Sequence, residues 1–179
     1  MAIDPPASSG EDADQTGIVI AGKDRDGHGY VLADLSGRYS PADWAQRAIA
    51  AYRTHKADRI VAEVNNGGDM VEATLRVVDP NIPFTAVHAS RGKVVRAEPA
   101  ATLYEQQRVR HVGMFPALED QMCGFTTDFD RQRAGYSPDR VDALVWALSD
   151  LLVNPMKSEG IFLLYKQRHE ELQARKASP

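Results

Sequence analysis

Cysteine is almost absent from this chain. Cys123 stands alone, which excludes an intrachain disulfide and a cysteine-rich zinc site. No apolar run approaches the roughly 20 residues needed to cross a bilayer, so no membrane span is expected. The opening residues Met1-Ala2-Ile3-Asp4-Pro5-Pro6 lack the basic region and apolar stretch of a signal peptide. An excess of positive charge is missing as well: the formal net charge is −4. That argues against holding nucleic acid by bulk charge, but leaves room for an enzyme that touches DNA locally. There is no internal repeat and no low-complexity tract. What remains is 179 residues, 43% hydrophobic and 26% charged, a composition that suits one folded domain with one core.

Charge is spread unevenly. Residues 1–36 carry Asp4, Glu11, Asp12, Asp14, Asp24, Asp26 and Asp34 against Lys23 and Arg25. Residues 88–111 carry Arg91, Lys93, Arg96, Arg108 and Arg110 against Glu98 and Glu105, and Arg131, Arg133 and Arg140 form a second basic cluster. An acidic pole beside basic segments suits a metal site next to a phosphate backbone. It suits ordinary variation of a solvated surface equally well.

The chain opens on Ala2-Ile3-Asp4, which reads as the end of a strand stopped by Pro5 and Pro6. Thr16–Gly22 and Tyr30–Leu35 are apolar runs separated by a Gly/Asp turn cluster, which predicts a hairpin. Ser40-Pro41 opens a helix, with Ser40 as N-cap and Trp44, Ala45, Ala48, Ile49 and Tyr52 at helical spacing. Arg59–Val64 predicts a strand. Asp69–Val78 predicts a helix burying Met70, Ala73, Thr74 and Val77. Phe84–His88 is a short strand, residues 94–109 a helix, Val112–Phe115 a short strand and Ala117–Phe125 a short helix. Thr126–Tyr136 is polar and aperiodic, a mobile loop. Ser137-Pro138 opens a helix with Val141, Leu144, Val145, Leu148 and Leu152 as its buried stripe, ended by Asn154-Pro155. Residues 154–179 form a helical tail after a domain spanning 1–153. Hairpins first and helix–strand units later predict an α/β fold with a mixed sheet and helices on both faces, the order of the ribonuclease H-like fold.

Three carboxylates stand out. Asp4 ends a strand, although an Asp before proline also serves as a turn starter. Glu63 sits inside the apolar run Ile60-Val61-Ala62-Glu63-Val64, where an unpaired buried charge is costly unless it faces water. Asp142 lies past the first turn of its expected helix, so capping does not account for it. Asp139 shares its face at three-residue spacing, but helix-dipole stabilisation explains an acid there. If the strands of Asp4 and Glu63 are parallel neighbours, both carboxylates emerge at one sheet end, and Asp142 reaches them from a helix packed across it. A carboxylate set without imidazole or thiol favours hard cations, Mg²⁺ or Mn²⁺. Two such ions roughly 4 Å apart can drive phosphodiester cleavage.

Several stretches together resemble a known family: Ile3-Asp4-Pro5-Pro6-Ala7 with Asp14-Gln15-Thr16-Gly17, then Val61-Ala62-Glu63-Val64-Asn65-Asn66-Gly67-Gly68. Lys93-Val94-Val95-Arg96-Ala97-Glu98-Pro99, Leu103-Tyr104-Glu105, Arg108-Val109-Arg110-His111-Val112 and Ser137-Pro138-Asp139-Arg140-Val141-Asp142-Ala143-Leu144 follow in order. In sequence and spacing, over residues 2–153, the chain resembles the C-terminal nuclease domain of the large terminase subunit of tailed bacteriophages and prophages. The resemblance implies a ribonuclease H-like fold and a metal-dependent endonuclease that cuts concatemeric viral DNA during packaging. Its catalytic and metal-binding triad falls on Asp4, Glu63 and Asp142, with Asp139 a further metal candidate and Mg²⁺ or Mn²⁺ the cofactor. Arg91, Lys93, Arg96, Arg131 and Arg133 are the expected DNA contacts. Double-stranded DNA is the expected partner, with the terminase small subunit and portal joining the full-length subunit in the host cytoplasm. The family's packaging ATPase is not expected here, because Gly67-Gly68-Asp69 lacks the lysine and spacing of a phosphate loop, and the chain reads as an excised domain. Two other functions fit the same features: a non-catalytic docking module for DNA or portal, and a Holliday-junction resolvase or transposase of the same fold.

Overall fold

Strand alternation sorts the central side chains into two cores. The computed structural model describes residues 1–5, 14–65 and 68–153. In β1 (Ala2–Asp4), β2 (Gly17–Lys23) and β4 (Ile60–Glu63), Ala2, Val19, Ala21 and Val61 point to one face, and Ile3, Ile18, Ile20, Ile60 and Ala62 to the other. The two-residue period of a strand places Asp4 beyond Ala2 and Glu63 beyond Val61, on the first of these faces.

With β3 (Gly29–Asp34), β5 (Phe84–Val87) and β6 (Val109–His111), these strands form one six-stranded sheet of order β5-β4-β1-β2-β3-β6. β1 pairs antiparallel with β2 and β2 with β3; β1–β4, β4–β5 and β3–β6 are parallel. The expected mixed sheet is therefore present, and the strands of Asp4 and Glu63 are parallel neighbours in register Ala2 to Val61 and Ile3 to Ala62. The β2–β3 turn is held by Asp24, whose carboxylate accepts from the backbone N–H of Asp26 and His28, while Gly27 takes a positive φ of 83°.

α1 (Pro41–Thr54) and α2 (Gly68–Val78) cover the isoleucine face. Ser40 caps α1 as expected, accepting from the N–H of Asp43. The buried side of α2 differs from expectation. Val71 and Leu75 face the core, whereas Met70 and Val77 are 71% and 85% exposed. Two apolar stripes one residue apart compete on this helix, and the one carrying Val71 and Leu75 takes the sheet.

α3 (Lys93–Glu105), α4 (Pro116–Gly124) and α6 (Asp139–Leu148) cover the other face. α3 carries the chain from the β5 edge to the β6 edge. It stops at Glu105 rather than running to 109: Gln107 adopts φ 56°, and Val109 begins β6. The short strand expected at Val112–Phe115 is thus displaced to Val109–His111, leaving Val112 and Met114 exposed. The segment read as a loop, Thr126–Tyr136, contains a single helical turn, α5 (Arg131–Ala134), capped by the Asp130 carboxylate and closed by Gly135 at φ 74°. α6 passes into a π-helical turn at Ser149–Val153. The expected tail, 154–179, lies outside the described residues.

Candidate active site

The parallel run of β5, β4 and β1 brings three chain segments to one sheet end: Asp4 at the end of β1, Glu63 at the end of β4, and the start of α3 following β5. Asn65 ties the last two segments together. Its amide donates to Ala89 O at 2.7 Å and its carbonyl accepts from Ala89 N at 3.0 Å. α3 therefore begins over the strand ends, with Lys93 and Arg96 one helical turn apart and facing the carboxylates.

α6 closes the site from above the sheet. Gly17 of β2 makes the close approach possible, because a Cβ there would lie 2.0 Å from Asp139 O. The helix begins at Asp139, so Asp142 falls in its first turn and not beyond it, as the sequence reading expected. Both aspartates lie where the helix N-terminus favours negative charge. Both are buried, Asp142 to 2% and Asp139 to 5% exposure.

Two cationic side chains bind the carboxylates together. Arg96 donates from Nη2 to Asp142 Oδ1 at 2.9 Å, and its Nη1 stands 3.2 Å from Glu63 Oε2. Its guanidinium also lies over the Trp146 ring, 4.7 Å from the centroid. Trp146 Nε1 donates to Glu63 Oε2 at 3.1 Å. Lys93 Nζ lies 3.8 Å from Asp4 Oδ2 and forms a close ion pair with Asp142 Oδ2, an oxygen that has no partner in hydrogen-bond geometry. Asp139 Oδ2 is likewise buried without a hydrogen bond.

The electrostatics follow from this crowding. Burial, reinforced by the charges of Asp142, Asp139 and Glu63 and opposed by Lys93, pushes Asp4 up to about 8. Burial also raises Asp139 to about 6, against a hydrogen bond from Ser137 and the charge of Lys93. Lys93 itself is lowered by burial but raised further by Asp142 and Asp4, and so remains charged.

Asp4, Glu63 and Asp142 thus share one site, with Asp139 a turn before Asp142 on the same helix. They do not close tightly around one point: among the described residues no three acidic, imidazole or thiol groups stand close enough to hold a cation as they are. The donor set still fits a hard divalent cation. It consists of carboxylate oxygens, two of them buried without hydrogen bonds, and positive charge is already drawn in between them.

The five basic residues expected at DNA divide into two groups. Arg91, Arg131 and Arg133 are exposed, and Arg131 pairs with Asp14. Arg96 is only 11% exposed and committed to the carboxylates, and Lys93 reaches into them. A cleft of about 440 Å³, lined by Gln15, Arg38, Gln121, Tyr136 and Arg140, opens beside Asp139. Sequence reasoning did not assign a site role to Trp146 or Gly17. The four-residue step from Asp142 to Trp146 was the available signal for the first.

No curated protein sequence matches the chain significantly. In structure it is similar to the large terminase nuclease from thermophilic phage G20c, at 21% identity and a TM-score of 0.55, covering 82% of this chain and 78% of that one. Two weaker similarities are to the yeast mitochondrial Holliday junction resolvase Ydc2 (13% identity, TM-score 0.45, 82% and 75% covered) and to T. thermophilus RuvC in complex with a Holliday junction substrate (12%, 0.48, 86% and 93%). The family model for the terminase RNaseH-like domain matches residues 1–151, and the chain belongs to that family.

Proposed function

We propose that this domain is a metal-dependent endonuclease that cuts concatemeric double-stranded DNA in viral genome packaging. The observation that carries the reading is the gathering of Asp4, Glu63 and Asp142 at one end of a ribonuclease H-like sheet in a terminase-family domain. These three carboxylates are the proposed metal ligands, with Asp139 a fourth candidate. Bound Mg²⁺ or Mn²⁺, as a pair when DNA is present, supplies activation of water and stabilisation of the leaving oxygen.

The chain's own groups prepare that chemistry. Arg96 and Trp146 orient Glu63, and Arg96 also fixes one oxygen of Asp142. Burial of Asp142 and Asp139 excludes water from two of the carboxylates. Arg91, Lys93, Arg131 and Arg133 are proposed to meet phosphates, and Arg96 to act through the carboxylates it holds. No ATP-hydrolysing role is assigned to any residue here. In the full subunit, the small subunit and portal are the proposed partners and the bacterial cytoplasm the place of action. No described helix is long and apolar enough to cross a membrane.

The test is digestion of supercoiled plasmid with Mn²⁺ or Mg²⁺, with and without EDTA, beside Asp4→Asn. Cleavage that needs the metal and the carboxylate is the expected result. DNA binding without cleavage points instead to a docking module, and preference for branched over linear DNA to a resolvase-like enzyme.

A further inference from the structure

The two cations of α3 meet the same carboxylates but are held differently. Arg96 is boxed in: Glu63 and Asp142 take its guanidinium edge, Trp146 takes its face, and 11% of the side chain is exposed. Lys93 reaches in from solvent with 42% of its side chain exposed, and touches Asp4 and Asp142 through a single ammonium. A guanidinium fork spread over two carboxylates and a ring cannot leave without dismantling the site. A compact, strongly hydrated ammonium on a flexible stem can.

We propose that Lys93 is a displaceable counter-cation of this site. It neutralises Asp142 and lies beside Asp4 when no divalent cation is bound, and gives up those oxygens to one that binds. Arg96 stays in place as the positioning residue for Glu63 and Asp142. The proposal rests on the metal-dependent reading above and adds to it how the site is kept stable without metal.

The reason is physical. Asp4, Glu63, Asp142 and Asp139 crowd a largely buried site, where uncompensated carboxylates repel one another and lose hydration. Two fixed cations would neutralise the cluster permanently and oppose metal entry. One fixed and one mobile cation allow the folded site to exist empty and to exchange its charge. The Lys93 ammonium and a divalent cation cannot occupy the same two carboxylates together, so the chain's affinity for metal is set by competition with Lys93.

The experiment is calorimetric titration of Mn²⁺ into the DNA-free wild type, Lys93→Met, Lys93→Arg and Arg91→Met. Arg91 is the control: it is exposed, lies two residues from Lys93, and pairs with no carboxylate among the described residues. Lys93→Met is expected to bind Mn²⁺ at least about tenfold more tightly, because the competing charge acts at contact distance. Lys93→Arg should bind Mn²⁺ more weakly than wild type, because a guanidinium leaves the carboxylates less readily than an ammonium. Arg91→Met should stay within about threefold of wild type, the screened effect of a charge that does not compete. Amine labelling of wild type, read at Lys93 by peptide mass spectrometry, should rise when Mn²⁺ is added. It needs no variant to fold. Unchanged or weaker Mn²⁺ binding by Lys93→Met overturns the proposal, as does equal tightening by Arg91→Met or labelling that Mn²⁺ leaves unchanged. If wild type cuts plasmid with Mn²⁺ while any of these holds, only the role of Lys93 is lost. If neither wild type nor Lys93→Met binds Mn²⁺, the metal-dependent reading falls with it.

Discussion

Trp146 Nε1 donates to Glu63 Oε2 at 3.1 Å, so the helix that carries Asp142 also holds the carboxylate at the end of β4. Trp146→Phe keeps a ring under Arg96 but deletes that hydrogen bond. The expected loss is about 1 kcal/mol, roughly 2–4 °C in Tm for a domain of this size. Cleavage should fall without vanishing, since Arg96 still holds Glu63. Thermal melts beside plasmid digestion check this. A lower Tm with wild-type cleavage would show that Glu63 needs no such support.

Asp142→Asn, Asp4→Asn and Glu63→Gln should each bring cleavage to background while the fold survives. The amide keeps the side-chain shape and loses the charge that holds a hard cation. Their Mn²⁺-induced gain in Tm should shrink below that of wild type by mass action. Asp139→Asn should have a smaller effect on cleavage, since loss of its interaction with the helix N-terminus costs only about 0.3–1 kcal/mol. Wild-type cleavage by Asp142→Asn would remove it from the ligand set.

The site was legible where strand periodicity reports it. Alternation in Ala2-Ile3-Asp4 and Ile60-Val61-Ala62-Glu63 places both acids on the face opposite Ile3 and Ala62, and parallel pairing brings them side by side. The side of α2 was not legible, because Met70 and Val77, seven residues apart, and Val71 and Leu75, four apart, both recur at helical spacings, and only packing decides between them. The end of α3 was missed for a related reason: Val109 continues the apolar spacing but belongs to β6. Nor does charge type reveal direction. Lys93 and Arg96 read as a basic surface, yet the start of α3 points them inward at Asp4, Glu63 and Asp142.

That inward turn bears on DNA affinity. With Arg96 committed and Lys93 engaged, few cations remain for phosphates, so binding by this domain should be weak and salt-dependent. Each phosphate contact contributes a slope of about −0.9 in log K against log salt. Arg91→Ala and Arg133→Ala should each reduce the slope by about 0.9. Arg131→Ala should do less, because Arg131 must first leave Asp14. Fluorescence anisotropy over a salt series, with Ca²⁺ in place of Mn²⁺, measures this. Tight, salt-insensitive binding would contradict it.

Stability in EDTA should fall as pH rises from about 4 to about 8. Asp4 is raised to about 8 and Asp139 to about 6, mainly by burial. Across this window the folded state holds protons on Asp4 and Asp139 that the unfolded chain has released, so their contribution to the slope of stability against pH is negative; the Met1 ammonium, lowered mainly by burial, opposes it towards neutral pH. Lys93, held above the usual lysine range, titrates beyond the window. Asp79, lowered by the hydrogen bond from Arg53, and Glu119, lowered by the one from His111, act oppositely and only on the acid side, losing their contribution as pH falls through the carboxylate range. Tm in EDTA should therefore be higher at pH 5 than at pH 8, and Asp4→Asn should flatten the difference. Mn²⁺ should raise Tm more at pH 8 than at pH 5, because Asp4 and Asp139 then hold fewer protons for the metal to displace. A wild-type Tm in EDTA that climbs from pH 5 to pH 8 would show that Asp4 is not the buried, proton-holding group described here.

Gly17 sets how closely α6 lies on the sheet, and through it where Asp142 stands relative to Asp4. It pairs directly with Asp4 across β1 and β2. A Cβ at Gly17 would meet Asp139 O at 2.0 Å, the Asp139 carbonyl carbon at 2.7 Å and Ala143 Cβ at 3.0 Å. Two of these atoms are helix backbone, which cannot rotate away, so Gly17→Ala must push the start of α6 off β2. Overpacking of this kind costs about 1–3 kcal/mol. The displaced turn carries both Asp139 and Asp142, so cleavage and Mn²⁺ affinity should fall together with Tm. Gly22→Ala, on the same strand, is the control: its Cβ would meet Leu32 at 3.5 Å, an ordinary contact. Gly22→Ala should leave stability within about 1 kcal/mol of wild type, because the new contact is ordinary and the unfolded chain loses freedom. If Gly17→Ala keeps both its Tm and its Mn²⁺ affinity, the close approach of α6 to β2 is not what positions the aspartates.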